Sequence, residues 1–230
     1  MYGNSEVIGY LQANKILALK LDRAVSAVGK QVENQIETLG MGATRLLYYS
    51  SCFTDEYNDV CRQQKLEDKR FRHAVARVIQ HGDVVYDMLR IYFEEIFKYK
   101  THDQLERIKK ELMAVNIHIA ASSLTGAGFA LAVATTVRMG LNLSVQLSAL
   151  TGRAVGTIAT LVVAYGIVQK AADSANRLHV QHPSYYAALY VQELEMMYFL
   201  LEPVFERAGA FNAQWSSDSN IASIISRMIR

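Results

Sequence analysis

Proline is nearly absent from this chain of 230 residues, with two copies, and glycine is sparse at 13. Scarce turn formers argue against a β fold of short strands and tight loops, and for long helices. Cysteine is also rare, with two copies, Cys52 and Cys61. No zinc-ligand motif appears, and on one helix the two thiols would stand roughly 13 Å apart along the axis, beyond disulfide reach. The expectation is two structural thiols in a reducing compartment. A disulfide would need a turn between them, which Phe53-Thr54-Asp55 does not demand. Net charge is small at +2, so charge alone gives no case for a nucleic-acid partner. The start, MYGNSEVIGYLQANK, lacks a basic region, an apolar stretch and a small-residue cleavage site. No cleavable secretory signal is expected. The expected location is a protein made soluble in the cytoplasm.

The most telling scarcity is local. Between Glu111 and Lys170 the full charges are Arg138 and Arg153 alone. They divide Leu112–Gln169 into uncharged windows of 26, 14 and 16 residues. The first, Leu112–Val137, is long enough to cross a bilayer, since a spanning helix needs about 20 apolar residues. Such a stretch also serves as the core of a soluble bundle, where a central helix is apolar all round.

The remainder reads as amphipathic helix. Leu21, Val25, Val28, Val32, Ile36 and Leu39 form an apolar seam with charges off it. A second helical segment spans roughly 55–100, with Phe71, Val75, Val78, Met88, Tyr92, Ile96 and Phe97 on its apolar side. Thr101 and Gln104 carry the spacing of a capping box. The helix they open enters the apolar block with no break at Leu112. Pro183-Ser184 opens another helix, to about Ala208, which Pro203 should kink or end. Its inner side is Ala188, Val191, Leu194, Met197, Tyr198 and Leu201. Ile221, Ile224, Ile225 and Met228 make an amphipathic tail. The expected fold is all-α, a single domain of five or six helices around an apolar central hairpin, residues 112–169.

Inside the block, small residues recur at every fourth position: Gly128, Ala132, Thr136, Gly140, Ser144, Ser148, Gly152, Gly156, Thr160 and Ala164, with Gly126 beside them. Small-xxx-small spacing lets apolar helices approach closely. About half of the block is Gly, Ala, Ser or Thr, so part of the series is compositional. A step of four drifts about 40° per step on a straight helix. Two helices joined within Arg138–Arg153 keep the stripe on one face each, which predicts a hairpin. Leu141–Ser148 alternates in the manner of a strand, against Gly140 and Asn142 as a helix stop and restart.

Catalytic signals are missing. His179 and His182 share a helical face but lack a third metal ligand. Gly126-Ala127-Gly128 lacks the Gly-Lys-Ser/Thr ending of a phosphate loop. No nucleophile elbow exists. The chain is read as a non-enzyme without cofactor or metal.

The layout, amphipathic helices around an uncharged hairpin at Leu112–Gln169, resembles pore-forming domains of the colicin type. It is also similar to small channel-forming effectors delivered by type VI secretion. It departs from the colicin pattern in two ways: Arg138 and Arg153 interrupt the hairpin, and more than 50 residues follow it. The resemblance implies a membrane-active toxin that inserts Leu112–Val137 and Ala154–Gln169 and depolarises a target membrane. Asn116, His118, Arg138 and Arg153 are then the candidates to line the ion path. The implied partners are a lipid membrane, further copies of the chain, and an immunity or carrier protein. The competing reading is a soluble helical interaction protein, an adaptor, chaperone or immunity partner, whose apolar block is only core.

Overall fold

A computed structural model of the chain describes residues 40–46, 48–53, 58–81, 83–119, 124–141 and 158–229. Every regular element among them is helical, so the fold is all-α. Residues 40–46 are helical, and Tyr49–Phe53 forms a 3-10 helix. The α-helices that follow are α1 (Asn58–His81), α2 (Val84–Phe97), α3 (His102–Ala114), α4 (Gly126–Gly140), α5 (Ile158–Gln181), α6 (Pro183–Val191), α7 (Glu202–Ala208) and α8 (Asp218–Ile229). Two more 3-10 helices, Glu195–Leu200 and Ala210–Trp215, flank α7. The early seam from Leu21 to Leu39 and the alternating stretch Asn142–Ser148 lie outside the described residues.

There are more helices than the five or six expected, because three long segments break. The segment read across 55–100 stops at His81 and restarts after Asp83, whose carboxylate accepts the amide of Tyr86 as an N-cap. The helix opened at Thr101 has both capping-box bonds, Thr101 N–H to Gln104 Oε1 (2.9 Å) and Gln104 N–H to Thr101 Oγ1 (3.4 Å). It ends three residues into the apolar block. Asn116 adopts φ 62°, Ile117 N–H reaches back to Leu112 O (2.9 Å) and Asn116 N–H to Met113 O (3.0 Å). That is a Schellman stop with asparagine in the left-handed position. Leu112–Val137 is therefore not one span in this structure. α6 ends the same way: Glu193 adopts φ 55°, and Leu194 N–H bonds Leu189 O at 3.0 Å. Leu194, Met197, Tyr198 and Leu201 are buried as expected, but Val191, the last residue of α6, is 82% exposed, because the chain turns away just after it. Pro203 stands in the first turn of α7, where its missing N–H costs nothing. It opens a helix and does not end one.

The described residues group into two compact units. The first holds residues up to Arg72 together with Arg153–Asp173. Here Cys52 and Cys61 form a disulfide, with Cα atoms 4.9 Å apart. The expectation of two free thiols is corrected. Cys52 lies on the 3-10 helix and Cys61 on α1, so the one-helix separation does not apply. Arg45, fully buried, organises the same unit. Its guanidinium donates to Asp68 (2.6 and 3.0 Å), Glu67 (2.9 Å), Gln169 (3.1 Å) and the Gln64 carbonyl (3.1 Å). Those five bonds match its five N–H donors, the condition under which a buried cation is tolerated. Tyr49 also donates its hydroxyl to Asp68. Burial, with the Asp68 carboxylate beside it, pushes that phenol up.

The second unit, His73–Gly152 with Ser174–Arg230, holds the larger core. α2 contributes Val84, Val85, Met88, Leu89, Tyr92, Phe93 and Phe97. The tail behaves as its periodicity predicts, with Ile221, Ile224, Ile225 and Met228 all buried on α8.

Candidate functional site

α4 carries a single ionised residue, Arg138, and its local sequence explains where it starts. Thr125 caps it, accepting from Gly128 N–H at 3.1 Å. Gly126 then lies against the end of α2, where an added Cβ would stand 2.6 Å from the Phe97 carbonyl oxygen. Only glycine lets the two backbones meet this closely. At the other end, Arg138 Nε donates to Asp83 Oδ1 at 2.7 Å. The start of α4 meets the end of α2, and the end of α4 meets the cap of α2. The pair is antiparallel.

The buried face of α4 is Phe129, Ala130, Val133, Ala134 and Val137. Phe129 packs edge-on to Phe97 with ring centroids 4.9 Å apart. The four-residue stripe runs beside this face. Gly128, Ala132 and Thr136 are half-buried, and Gly140 is an exposed residue whose Cβ position lies 2.9 Å from Ile229 Cγ2 of α8. The opposite side carries exposed Leu131 and Met139. Thr135 and Thr136 return their hydroxyls to the carbonyls of Leu131 (2.8 Å) and Ala132 (2.9 Å). These polar side chains are satisfied within the helix and ask nothing of water or neighbours.

Of the residues picked from sequence as path-lining, Arg138 is clasped to Asp83 at the C-terminal end of α4. Asn116 serves as the stop of α3, and His118 is exposed in the connection that precedes α4. Arg153, Gly152 and Gly156 lie outside the described residues. Thr160 and Ala164 fall within α5, with their side chains undescribed. Asp83 was not picked from sequence, although an aspartate ahead of the apolar run Val84-Val85 is a readable cap signal.

α4 has 15 residues, about 22 Å at 1.5 Å per residue, against a hydrocarbon core of about 30 Å. No helix among the described residues is long and apolar enough to cross a membrane. No group of three or more metal-ligating side chains is found among them either. No family model, no curated protein and no solved structure matches this chain.

Proposed function

We propose that this fold is the water-stable form of a membrane-active, pore-forming protein, an interbacterial toxin in the sense the colicin and type VI resemblance implies. The observation that carries the reading is the state of α4. Its threonines are satisfied by its own backbone, and its one ionised residue, Arg138, is held at its end by Asp83. Freed from α2, α4 leaves no polar side chain unsatisfied in its middle. Residues 115–125 are uncharged too. If the stop at Asn116 unwinds, Leu112–Val137 extends over about 39 Å, more than the roughly 30 Å required. Arg138 then falls at the headgroup level, where a long cation reaches water. The stripe residues give the inserted helix an edge for other helices or copies of the chain.

A second reading has its own support. α4 falls short of a span as folded, and Gly126 fits it closely to α2, as expected of a permanent core helix in a soluble interaction protein. Leakage of a potential-sensitive dye from anionic liposomes separates the two. The membrane reading predicts dose-dependent depolarisation by the full chain. The interaction reading predicts none, and recovery of the protein in the supernatant after flotation.

A further inference from the structure

Away from α4, the second unit contains a cavity of about 410 Å³ between α2, the α5–α6 junction and the 3-10 helix Ala210–Trp215. That size lies within the range of ligand pockets, roughly 300–1,000 Å³. Its lining includes Tyr92, Tyr185 and Phe211, with Ile91 and Ile96. Both tyrosine hydroxyls are already spent. Tyr92 donates to the Ala210 carbonyl (2.6 Å) and Tyr185 to the Met88 carbonyl (2.9 Å). With those bonds made, neither hydroxyl is free to donate to a ligand, and burial keeps both phenols protonated.

The charge of the lining is one-sided. Glu95 supplies a carboxylate, and no lysine or arginine lines the cavity. His182 stacks on Phe211 with centroids 3.6 Å apart, and burial holds its pKa below the usual histidine value. The imidazole is therefore neutral at pH 7. Lys98 approaches Glu95 at 3.8 Å, but both side chains are more than half exposed, and such a pair is a weak competitor. An aromatic cavity with one carboxylate suits a ligand with an apolar body and one positive charge. Ring quadrupoles and the carboxylate then act on the same cation.

We propose that this cavity binds a small organic monocation, its apolar body against Tyr92, Tyr185 and Phe211 and its charge toward Glu95. The proposal does not depend on membrane entry. The test titrates the full chain with phenyltrimethylammonium, followed by line broadening of the probe's methyl NMR signal. tert-Butylbenzene serves as the neutral probe of the same shape. Saturable binding is expected, weakened about fivefold by Glu95→Gln, the loss of one partly exposed ion pair. The neutral probe should bind more weakly than the cation. Glu95 is exposed, so the variant is expected to keep the wild-type circular dichroism, which is checked alongside. Absence of saturation, equal affinity in Glu95→Gln, or equal binding of the neutral probe would each overturn the proposal.

Discussion

Asp83 uses one oxygen, Oδ1, for two tasks: it accepts the Tyr86 amide at 3.0 Å and the Arg138 guanidinium at 2.7 Å. A single atom thus starts α2 and anchors the end of α4. The two tasks are separable by substitution. Asp83→Asn keeps a side chain that caps well and loses the charge. It should cost under about 1 kcal/mol, as should Arg138→Gln, because the pair is partly exposed. Asp83→Ala loses both tasks and should cost about 1–2 kcal/mol. Urea unfolding of the three variants checks the order. Equal costs for Asp83→Asn and Asp83→Ala would mean that the cap contributes nothing.

α2 and α4 approach closely at Gly126. In Gly126→Ala the new methyl would meet a backbone oxygen that cannot rotate away. The expected loss is about 1–3 kcal/mol, the usual cost of overpacking. Gly140→Ala meets the Ile229 Cγ2 methyl at 2.9 Å, a branch stiff at χ1, with the Ile229 carbonyl oxygen at 3.4 Å behind it. Ile229 is the last residue of α8 and can shift by a few tenths of an ångström, so the unfolding midpoint should fall less than for Gly126→Ala, and the better helix propensity of alanine offsets part of the loss.

Cys52 and Cys61 close a short loop in the first unit. Chain-entropy reasoning gives such a closure about 2–3 kcal/mol. Protein purified without reductant should show no titratable thiol in denaturant, and two after reduction. Its thermal midpoint should fall on reduction. Two reactive thiols in the unreduced protein would contradict the bond.

His182 gives a pH dependence of known sign. Burial lowers its pKa below 6.5 in the folded protein, while the unfolded chain keeps a value near 6.5. Above that value both states are neutral and His182 has no effect. As pH falls below it, the unfolded chain takes a proton that the folded chain does not. Stability is lost until the folded pKa is reached. The urea midpoint should fall between about pH 7 and 5, and His182→Gln should flatten that part of the slope. An unchanged slope in the variant would contradict the burial of this ring.

Local signals with strong chemistry were readable. The Thr101–Gln104 box and the buried Ile221, Ile224, Ile225 and Met228 follow directly from residue spacing. The helix stops were not, because they use residues that do not announce themselves. Asn116 takes the left-handed position that glycine usually fills, and Glu193 does the same without even a short polar side chain to favour it. What recommends those positions is tertiary: Ile117 and Leu194 are buried just beyond each stop, as Leu112 and Leu189 are just before it. The partner of α4 was likewise illegible. Periodicity marks Phe129, Val133 and Val137 as one face, but nothing in spacing says that α2 covers it. The cavity was also missed, since His182 and Phe211 are far apart in the chain.

In the proposed pore-forming mechanism the apolar block exchanges its place in the core for a bilayer. Leu131 is the position that tests it, being 41% exposed on α4 yet inside the uncharged stretch Leu112–Val137. In Leu131→Glu the folded protein should keep its thermal midpoint, because the carboxylate points to water. In a bilayer the same charge costs up to about 3 kcal/mol, the value at the centre. Dye-reported depolarisation of anionic liposomes should be strong for the wild-type chain and reduced by about 10- to 100-fold in Leu131→Glu. A silent wild-type chain, or a Leu131→Glu chain as active as wild type, would contradict that mechanism.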